Sequence, residues 1–223
     1  MLLLAADTSG KHGSIALVLG DEHSCEALEV VPLAGGTFSA QLVPQIADLL
    51  ARRGFSKHDL DAFVAASGPG SFTGLRVGLA AIKGLAEVLG KPIAAVSLLE
   101  TLATTARLEG RLVAALDAGR GEAYVGEYDV TAGAARLSRE SLLNEHEFLA
   151  LLETRPGAVV TPDSLVISWA QKHGFPVQRV EHPRSDDLAR LGLRKLLAGE
   201  TVAPADLEAN YIRRSDAEIF AKQ

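Results

Sequence analysis

The stretch that decides the fold is LAADTSGKHGSIAL, residues 4–17, because a near copy of it, VAALDAGRGEAYV, returns at residues 113–125. In each copy an apolar run ends in an aspartate, Asp7 or Asp117, and a turn with glycine leads into a second apolar run. This pattern is typical of two strands joined by a hairpin. The two copies predict that the chain is duplicated.

The elements around the two copies follow one order: strand, strand, strand, helix, strand, helix. In the first half the two helices span about residues 39–53 and 73–89, with the strand AFVAAS between them. Strands that alternate with helices predict an α/β fold of two similar units, residues 1–107 and 108–223, with ligand loops at the strand ends. An open alternative for the last segment is that it packs back on the first unit.

The composition excludes several classes of protein. The formal charge of −6 argues against a chain that clamps nucleic acid alone, because such chains need a basic face. Cys25 is the only cysteine, so the chain has no internal disulfide and no cysteine-based zinc site, and we expect a reducing cytoplasm. The N-terminus, MLLLAADTSG, lacks the basic region of a signal peptide, and no run reaches the roughly 18 apolar residues of a membrane helix.

The glycine-rich loop SGPGSFTGLR, residues 67–76, lies between a predicted buried strand and a predicted helix. The N–H groups at such a helix start can bind an anion, or the loop is a tight turn capped by its own hydroxyls. It is not a Walker loop, because Leu75 and Arg76 follow Gly74 where Lys-Ser/Thr is required, and the glycine spacing misses the dinucleotide fingerprint. The candidate residues of a vestigial nucleotide or anion site are Asp7, Thr8, Ser9, Gly68, Gly70, Ser71, Thr73, Asp117 and Arg120.

No other pattern in the sequence indicates catalysis. The six histidines form no His-x3-His or His-Glu-x2-His pair, and Gly-x-Ser-x-Gly is absent, so we predict neither a metal site nor a hydrolase elbow. Asp7 and Asp117 could each hold Mg²⁺ through water, or could accept backbone hydrogen bonds in their turns. Both interpretations stay open.

The two long helices of the first half are apolar on more than one side. A helix that covers a sheet needs one apolar face, so the excess predicts either close packing within one unit or a face for a partner subunit. The candidate interface residues are Leu42, Ile46, Leu49, Leu50, Gly74, Val77, Gly78, Ala81, Ile82 and Leu85.

Several segments together resemble the TsaB (YeaZ) family, and the resemblance runs nearly end to end. They are LLLAADTS…GSIAL, SGPGSFTGLRVGLAAIKGLA, KPIAAVSLLETLA, ALDAGRGEAYVGEY and YIRRSDAE. The resemblance implies an actin/hexokinase/Hsp70-type (ASKHA) fold of two duplicated α/β lobes with mixed sheets flanked by helices. It also implies a role in the bacterial synthesis of threonylcarbamoyladenosine at position 37 of tRNA.

In that family the chain is a non-catalytic subunit that binds the catalytic paralogue TsaD, with the ATPase TsaE as a further partner. The resemblance implies a homodimer when the chain is alone, contact with tRNA only through the complex, and no cofactor of its own, with ATP or ADP and Mg²⁺ only at the complex level. The paralogue's metal-binding His-x3-His pair has no counterpart in GGTFSAQLVPQ, where Phe38-Ser39 stands in place of a His-Ser pair common in the family. Gly119 also replaces an arginine of the family pattern, which weakens any anion contact beside Arg120.

Two enzymatic alternatives remain beside this expectation. One is a small ATP-dependent transferase or kinase of the same fold, which would use Asp7, Asp117 and the glycine loop. The other is a peptidase acting on the paralogue, although no Ser–His–Asp arrangement is readable in the sequence.

Overall fold

The computed structural model of the chain describes residues 1–213, and His12 by its backbone alone. The part of YIRRSDAE from Arg214 onward lies outside the described residues. The chain divides into two compact units. The first is Met1–Leu98 with Pro183–Asn210, and the second is Leu99–His182 with the segment that begins at Tyr211.

The first unit is a five-stranded mixed sheet in the order β3-β2-β1-β4-β5, in which β1 pairs antiparallel with β2 and parallel with β4. The central strand β1 is buried along its whole length, as its continuous apolar sequence predicts for a strand covered on both faces. The strands are β1 (Leu2–Asp7), β2 (His12–Gly20), β3 (Cys25–Ala34), β4 (Ala62–Gly68) and β5 (Ile93–Ser97).

Helices cover both faces of this first sheet. Helices α1 (Phe38–Arg52) and α2 (Phe72–Leu89) pack in one apolar core with Leu4, Ile15 and Phe63. On the other face Val64 lies directly against Gly192, which belongs to α6 (Ser185–Leu197).

The second unit repeats this topology, with the sheet order β8-β7-β6-β9-β10 and the same strand directions. Its core brings Val113 and Val125 of the sheet against Phe148 and Trp169, whose ring centroids are 5.9 Å apart. The predicted duplication of α/β units is therefore confirmed. The strands are β6 (Gly110–Gly119), β7 (Glu122–Thr131), β8 (Ala134–Asn144), β9 (Ala158–Thr161) and β10 (Val177–Arg179), and the helices are α3 (Leu98–Thr105), α4 (Glu145–Thr154) and α5 (Ser164–Lys172).

The division into units differs from a single cut after Arg107. Helix α6 follows β10 in the sequence but belongs to the first unit. It is held there by two hydrogen bonds between Ser185 and Ser14. The Ser185 hydroxyl donates to the Ser14 carbonyl at 2.7 Å, and the Ser185 N–H donates to the Ser14 hydroxyl at 3.0 Å. The segment after it also stays with the first unit, because Val202 pairs with Ile93 and Leu207 is buried in the core. Among the described helices, none is both long and apolar enough to cross a membrane.

Candidate functional site

The turn after β1 is buried, and it is hydrogen-bonded both within itself and to the start of α2. The Asp7 carboxylate accepts a 2.8 Å hydrogen bond from the Ser9 N–H, so this aspartate closes its own turn. The Thr8 hydroxyl donates 2.7 Å to the carbonyl oxygen of Gly74 in the first turn of α2. Asp7, Thr8 and Ser9 are each less than 5% exposed. These three candidate residues are thus packed beneath the start of α2.

The glycine loop closes on the same turn from the other side. The Ser71 N–H donates a 2.6 Å hydrogen bond to the Ser9 carbonyl. The Ser71 hydroxyl caps α2 by accepting a 3.3 Å hydrogen bond from the Gly74 N–H. A β-carbon at Gly70 would overlap Ser9, and one at Gly74 or Gly78 would overlap Thr8. The glycines therefore serve the close approach of α2 to the β1 turn, and two N–H groups that an anion would need already have partners within the chain.

The two remaining residues of the loop in the candidate set lie at its ends. Gly68 adopts φ +125°, a backbone conformation that strongly favours glycine. The carbonyl of Ser67, just before it, accepts a 2.7 Å hydrogen bond from the Asn210 N–H. Thr73 is exposed on the first turn of α2. The structure therefore brings Asp7, Thr8, Ser9, Gly70 and Ser71 into one cluster of the first unit.

The corresponding turn of the second unit is open. The Asp117 carboxylate accepts 2.7 Å from the Gly119 N–H, which reproduces the geometry of Asp7 and Ser9. The Asp117 N–H donates 2.8 Å to the Asp163 carboxylate at the start of α5. Unlike Asp7, Asp117 is exposed, and so is Arg120 at the tip of the β6–β7 hairpin. The repeat predicted from the sequence therefore extends to the hydrogen bonding of its two aspartates.

The ten candidate interface residues lie mostly inside the first unit. Leu42, Ile46, Leu49, Leu50 and Ile82 are at most 5% exposed in its core, and Gly74 and Gly78 are buried against Thr8. Val77, Ala81 and Leu85 are half-buried against the same core. A partner would therefore meet the opposite side of these helices.

That opposite side is an uncharged strip on each helix, here called the α1–α2 outer face. Its members recur every three or four residues and are small or apolar, so each strip follows one side of its helix. Val43 is 52% exposed and Val88 is 79% exposed, which is unusual for valine. The α1–α2 outer face comprises Ala40, Val43, Pro44, Ala47 and Ala51 of α1 and Ala80, Gly84 and Val88 of α2, all of which are exposed. A scan of the sequence for missing charge along a helix side could have found it.

Groups for independent chemistry are sparse in the part of the chain that the structure describes. No three histidine, cysteine, aspartate or glutamate side chains come close enough there to bind a metal ion. Burial raises the pKa of the Cys25 thiol, which makes it a poor nucleophile at neutral pH.

Comparison with known proteins identifies similar chains. Residues 30–216 match the family described as TsaD, tRNA N6-adenosine threonylcarbamoyltransferase. The chain is 32% identical to the tRNA threonylcarbamoyladenosine biosynthesis protein TsaB of Bacillus subtilis, over 98% of this chain and 96% of that protein.

Solved structures agree with the fold. A Pseudomonas aeruginosa protein described as similar to the peptidase YEAZ superposes with a TM-score of 0.76 at 29% identity, over 95% of this chain and 99% of that chain. The activator of 2-hydroxyisocaproyl-CoA dehydratase from Clostridium difficile, solved with bound ADPNP, superposes with a TM-score of 0.53 at 11% identity, over 90% of this chain and 97% of that chain. The latter likeness shows the fold alone, and together they confirm the duplicated actin/hexokinase/Hsp70-type architecture.

Proposed function

Because this chain belongs to the TsaB (YeaZ) family, we propose that it serves tRNA threonylcarbamoyladenosine biosynthesis as a non-catalytic subunit that binds and stabilises the TsaD-like paralogue. Involvement in this biosynthesis follows from the family. The subunit role rests on one observation above all, the uncharged α1–α2 outer face. Exposed strips without charge on two adjacent helices are typical of surfaces that a partner covers.

The partner's chemistry is suggested by the family relationship. The match to the TsaD family spans residues 30–216 and so includes α1 and α2. A paralogue of the same fold carries two equivalent helices, and two such pairs can pack face to face about a pseudo-twofold axis. Alanine and glycine on the α1–α2 outer face allow close approach of helix backbones. A second copy of this chain would use the same surface when the paralogue is absent.

Charge and the closed glycine loop support the proposed placement of tRNA and nucleotide in the complex, and the family resemblance is the basis for the other partner and the compartment. With a net charge of −6, the chain meets tRNA through the complex, not through a basic face of its own. Its Ser71 and Gly74 N–H groups are engaged within the chain, so we assign ATP or ADP with Mg²⁺ to the complex level. A TsaE-like ATPase is the further partner, and the cytoplasm is the compartment of the reaction.

The test places a charge on the α1–α2 outer face without disturbing the core. Val43→Asp and Val88→Asp both change exposed side chains, and Leu137→Asp on β8, itself 49% exposed, is the matched control. We expect either helix variant to weaken capture of the TsaD-like subunit at least about tenfold, because a buried unpaired charge costs well over 1.4 kcal/mol. Folding is checked by circular dichroism.

Undiminished capture by both folded helix variants would overturn the assignment of this surface. Equal loss with Leu137→Asp would show a general effect of added charge. Size measurements of the chain alone and mixed with the paralogue separate a homodimer from the heteromeric complex.

A further inference from the structure

The β6–β7 hairpin of the second unit turns through residues with positive φ. Gly119, Arg120 and Gly121 adopt φ values of +71°, +59° and +75° in succession. Glycine accepts this left-handed region freely, but arginine does so only where the surrounding structure holds it. Arg120 and Gly121 form the two-residue loop between the paired residues Gly119 and Glu122, and positive φ at both loop residues is the usual geometry of such a hairpin turn. What distinguishes this hairpin is the side chain that holds its base.

Arg213 fixes the base of this hairpin. Its guanidinium donates 2.9 Å to the Ala118 carbonyl and forms a 2.6 Å ion pair with the Glu122 carboxylate on the opposite strand. The same group lies over the Tyr124 ring, 5.8 Å from its centroid. Arginine suits this role because its planar fork presents several donors in a fixed geometry, whereas the ammonium group of lysine is a point charge on a flexible stem.

The hairpin also lies where ligands bind in this class of sheet. In open α/β sheets, ligands bind beyond the carboxyl ends of parallel strands at the point where the strand order reverses. In the second unit that point lies between β6 and β9, where the Asp117 N–H meets the Asp163 carboxylate. The equivalent turn in the first unit is sealed beneath α2, whereas Asp117 and Arg120 are exposed.

We propose that Arg213 is a positioning residue for threonylcarbamoyladenosine formation, holding the Asp117–Glu122 hairpin so that Arg120 keeps one geometry. This inference rests on the proposed function. It differs from that function in the part of the chain involved, because the hairpin belongs to the second unit and the α1–α2 outer face to the first.

The first experiment measures the hairpin itself in the full-length chain. Arg213→Met removes the guanidinium at similar length, and Arg136→Met on the exposed edge of β8 is the matched control. We expect amide exchange at Gly119 to accelerate about tenfold or more in Arg213→Met, as the loss of a charged hydrogen bond predicts. In Arg213→Lys, which retains the charge beside Glu122, the exchange rate at Gly119 should fall between those of Arg213→Met and the wild type. Exchange at Gly119 that is equal in Arg213→Met and the wild type would overturn the proposal.

The second experiment measures modification of tRNA in the reconstituted system. We expect Arg213→Met and Arg120→Met each to lower the rate severalfold, with the double variant no slower than the worse single one, because two residues acting through one geometry are non-additive. Capture of the TsaD-like subunit should stay within about twofold of the wild type, and Arg213→Lys should restore part of the rate.

Each remaining result is decisive. An unchanged modification rate in Arg213→Met, or fully additive losses in the double variant, would overturn the positioning role. Loss of partner capture in Arg213→Met would assign the residue to assembly and would also overturn it. Failure of the proposed function gives a different result, in which Val43→Asp retains partner capture. That result is independent of amide exchange at Gly119, so the two failures can be told apart.

Discussion

The Thr8 hydroxyl donates a 2.7 Å hydrogen bond to the carbonyl oxygen of Gly74, sixty-six residues further along the chain. At the same place the Thr8 carbonyl occupies the position that a β-carbon on Gly74 would need. The glycine is therefore required by the approach of the β1 turn, and its N–H is already engaged by the Ser71 hydroxyl. The loop that resembles a phosphate cradle in the sequence is a packing contact in the structure.

Substitution of this glycine tests the packing contact. Gly74→Ala should lower the free energy of unfolding by about 1–3 kcal/mol, because the added methyl group forces the Thr8 backbone away from α2. Gly84→Ala on the same helix is the matched control, since nothing lies within 4 Å of its added β-carbon. The control should gain about 0.5–1 kcal/mol from improved helix propensity. Urea unfolding of both variants measures the difference, and equal effects would show that the contact is unimportant.

Local patterns predicted the elements of the fold well. The helices expected at about 39–53 and 73–89 occur at Phe38–Arg52 and Phe72–Leu89, because turns and apolar periodicity are encoded nearby in the sequence. The duplicated aspartate turns were also visible, since each is closed by a hydrogen bond to the residue two positions on.

Long-range packing is what the sequence did not disclose. Apolarity alone selected Leu42, Ile46 and Leu49, yet these large side chains fill the chain's own core, where they bury the most surface. The α1–α2 outer face consists of alanine, glycine, valine and one proline, so a search for large apolar side chains passes over it, although the absence of charge along it is visible in the sequence. The placement of α6 likewise depends on contacts 171 residues apart, between Ser14 and Ser185.

The buried carboxylate of Glu127 provides a second test of stability. Glu127 is 2% exposed, and its carboxylate accepts hydrogen bonds from Arg111 at 2.5 Å and Arg155 at 3.3 Å. Removing both arginines, as Arg111→Met with Arg155→Met, leaves this charge buried and unpaired and should cost about 3–5 kcal/mol of unfolding free energy. Glu127→Gln should cost less, about 1–2 kcal/mol, because the arginines that remain are partly exposed and can be hydrated.

The matched control for the double variant changes two arginines on the exposed strand β8. Arg136→Met with Arg139→Met removes the same charge from the same unit, and both side chains are exposed. We expect this control to stay within about 0.5 kcal/mol of the wild type in urea unfolding. A larger loss from Glu127→Gln than from the arginine pair would contradict the assigned cost of burial.

Asp187 in the first turn of α6 should make stability depend on pH. Burial raises the pKa of its carboxyl group above the ordinary value of 3.8, and the neighbouring carboxylate of Asp186 adds to that effect. The stabilising contribution of the protonated form is therefore complete below the unfolded pKa and is lost as the pH rises through the higher pKa of the folded state. Asp187→Asn should remove this dependence, because an amide does not titrate in this pH range. The hydrogen bond is retained, since an amide oxygen can still accept from the Arg184 N–H.

The measurement is the free energy of unfolding from about pH 4 to pH 7, the range above the unfolded carboxyl pKa. Relative to the wild type, Asp187→Asn should become more stable as the pH rises. Asp48→Asn, a change at an exposed carboxylate of α1, controls for the altered net charge. A wild type that gains stability over Asp187→Asn between these pH values would show that the sign is wrong.

The closed glycine loop predicts that the isolated chain responds weakly to nucleotide. Ligand binding raises the free energy of unfolding by RT ln(1 + [L]/Kd), so about 1 mM ATP with Mg²⁺ adds at most about 0.4 kcal/mol if Kd is near 1 mM or weaker. The melting temperature should then rise by no more than about 2 °C. A rise of many degrees, or ATP turnover by the chain alone that Asp7→Ala abolishes, would favour an ATP-dependent transferase or kinase. Because the Asp7 carboxylate already accepts from the Ser9 N–H inside the buried turn, we expect Asp7→Ala to lower stability without changing any response to ATP.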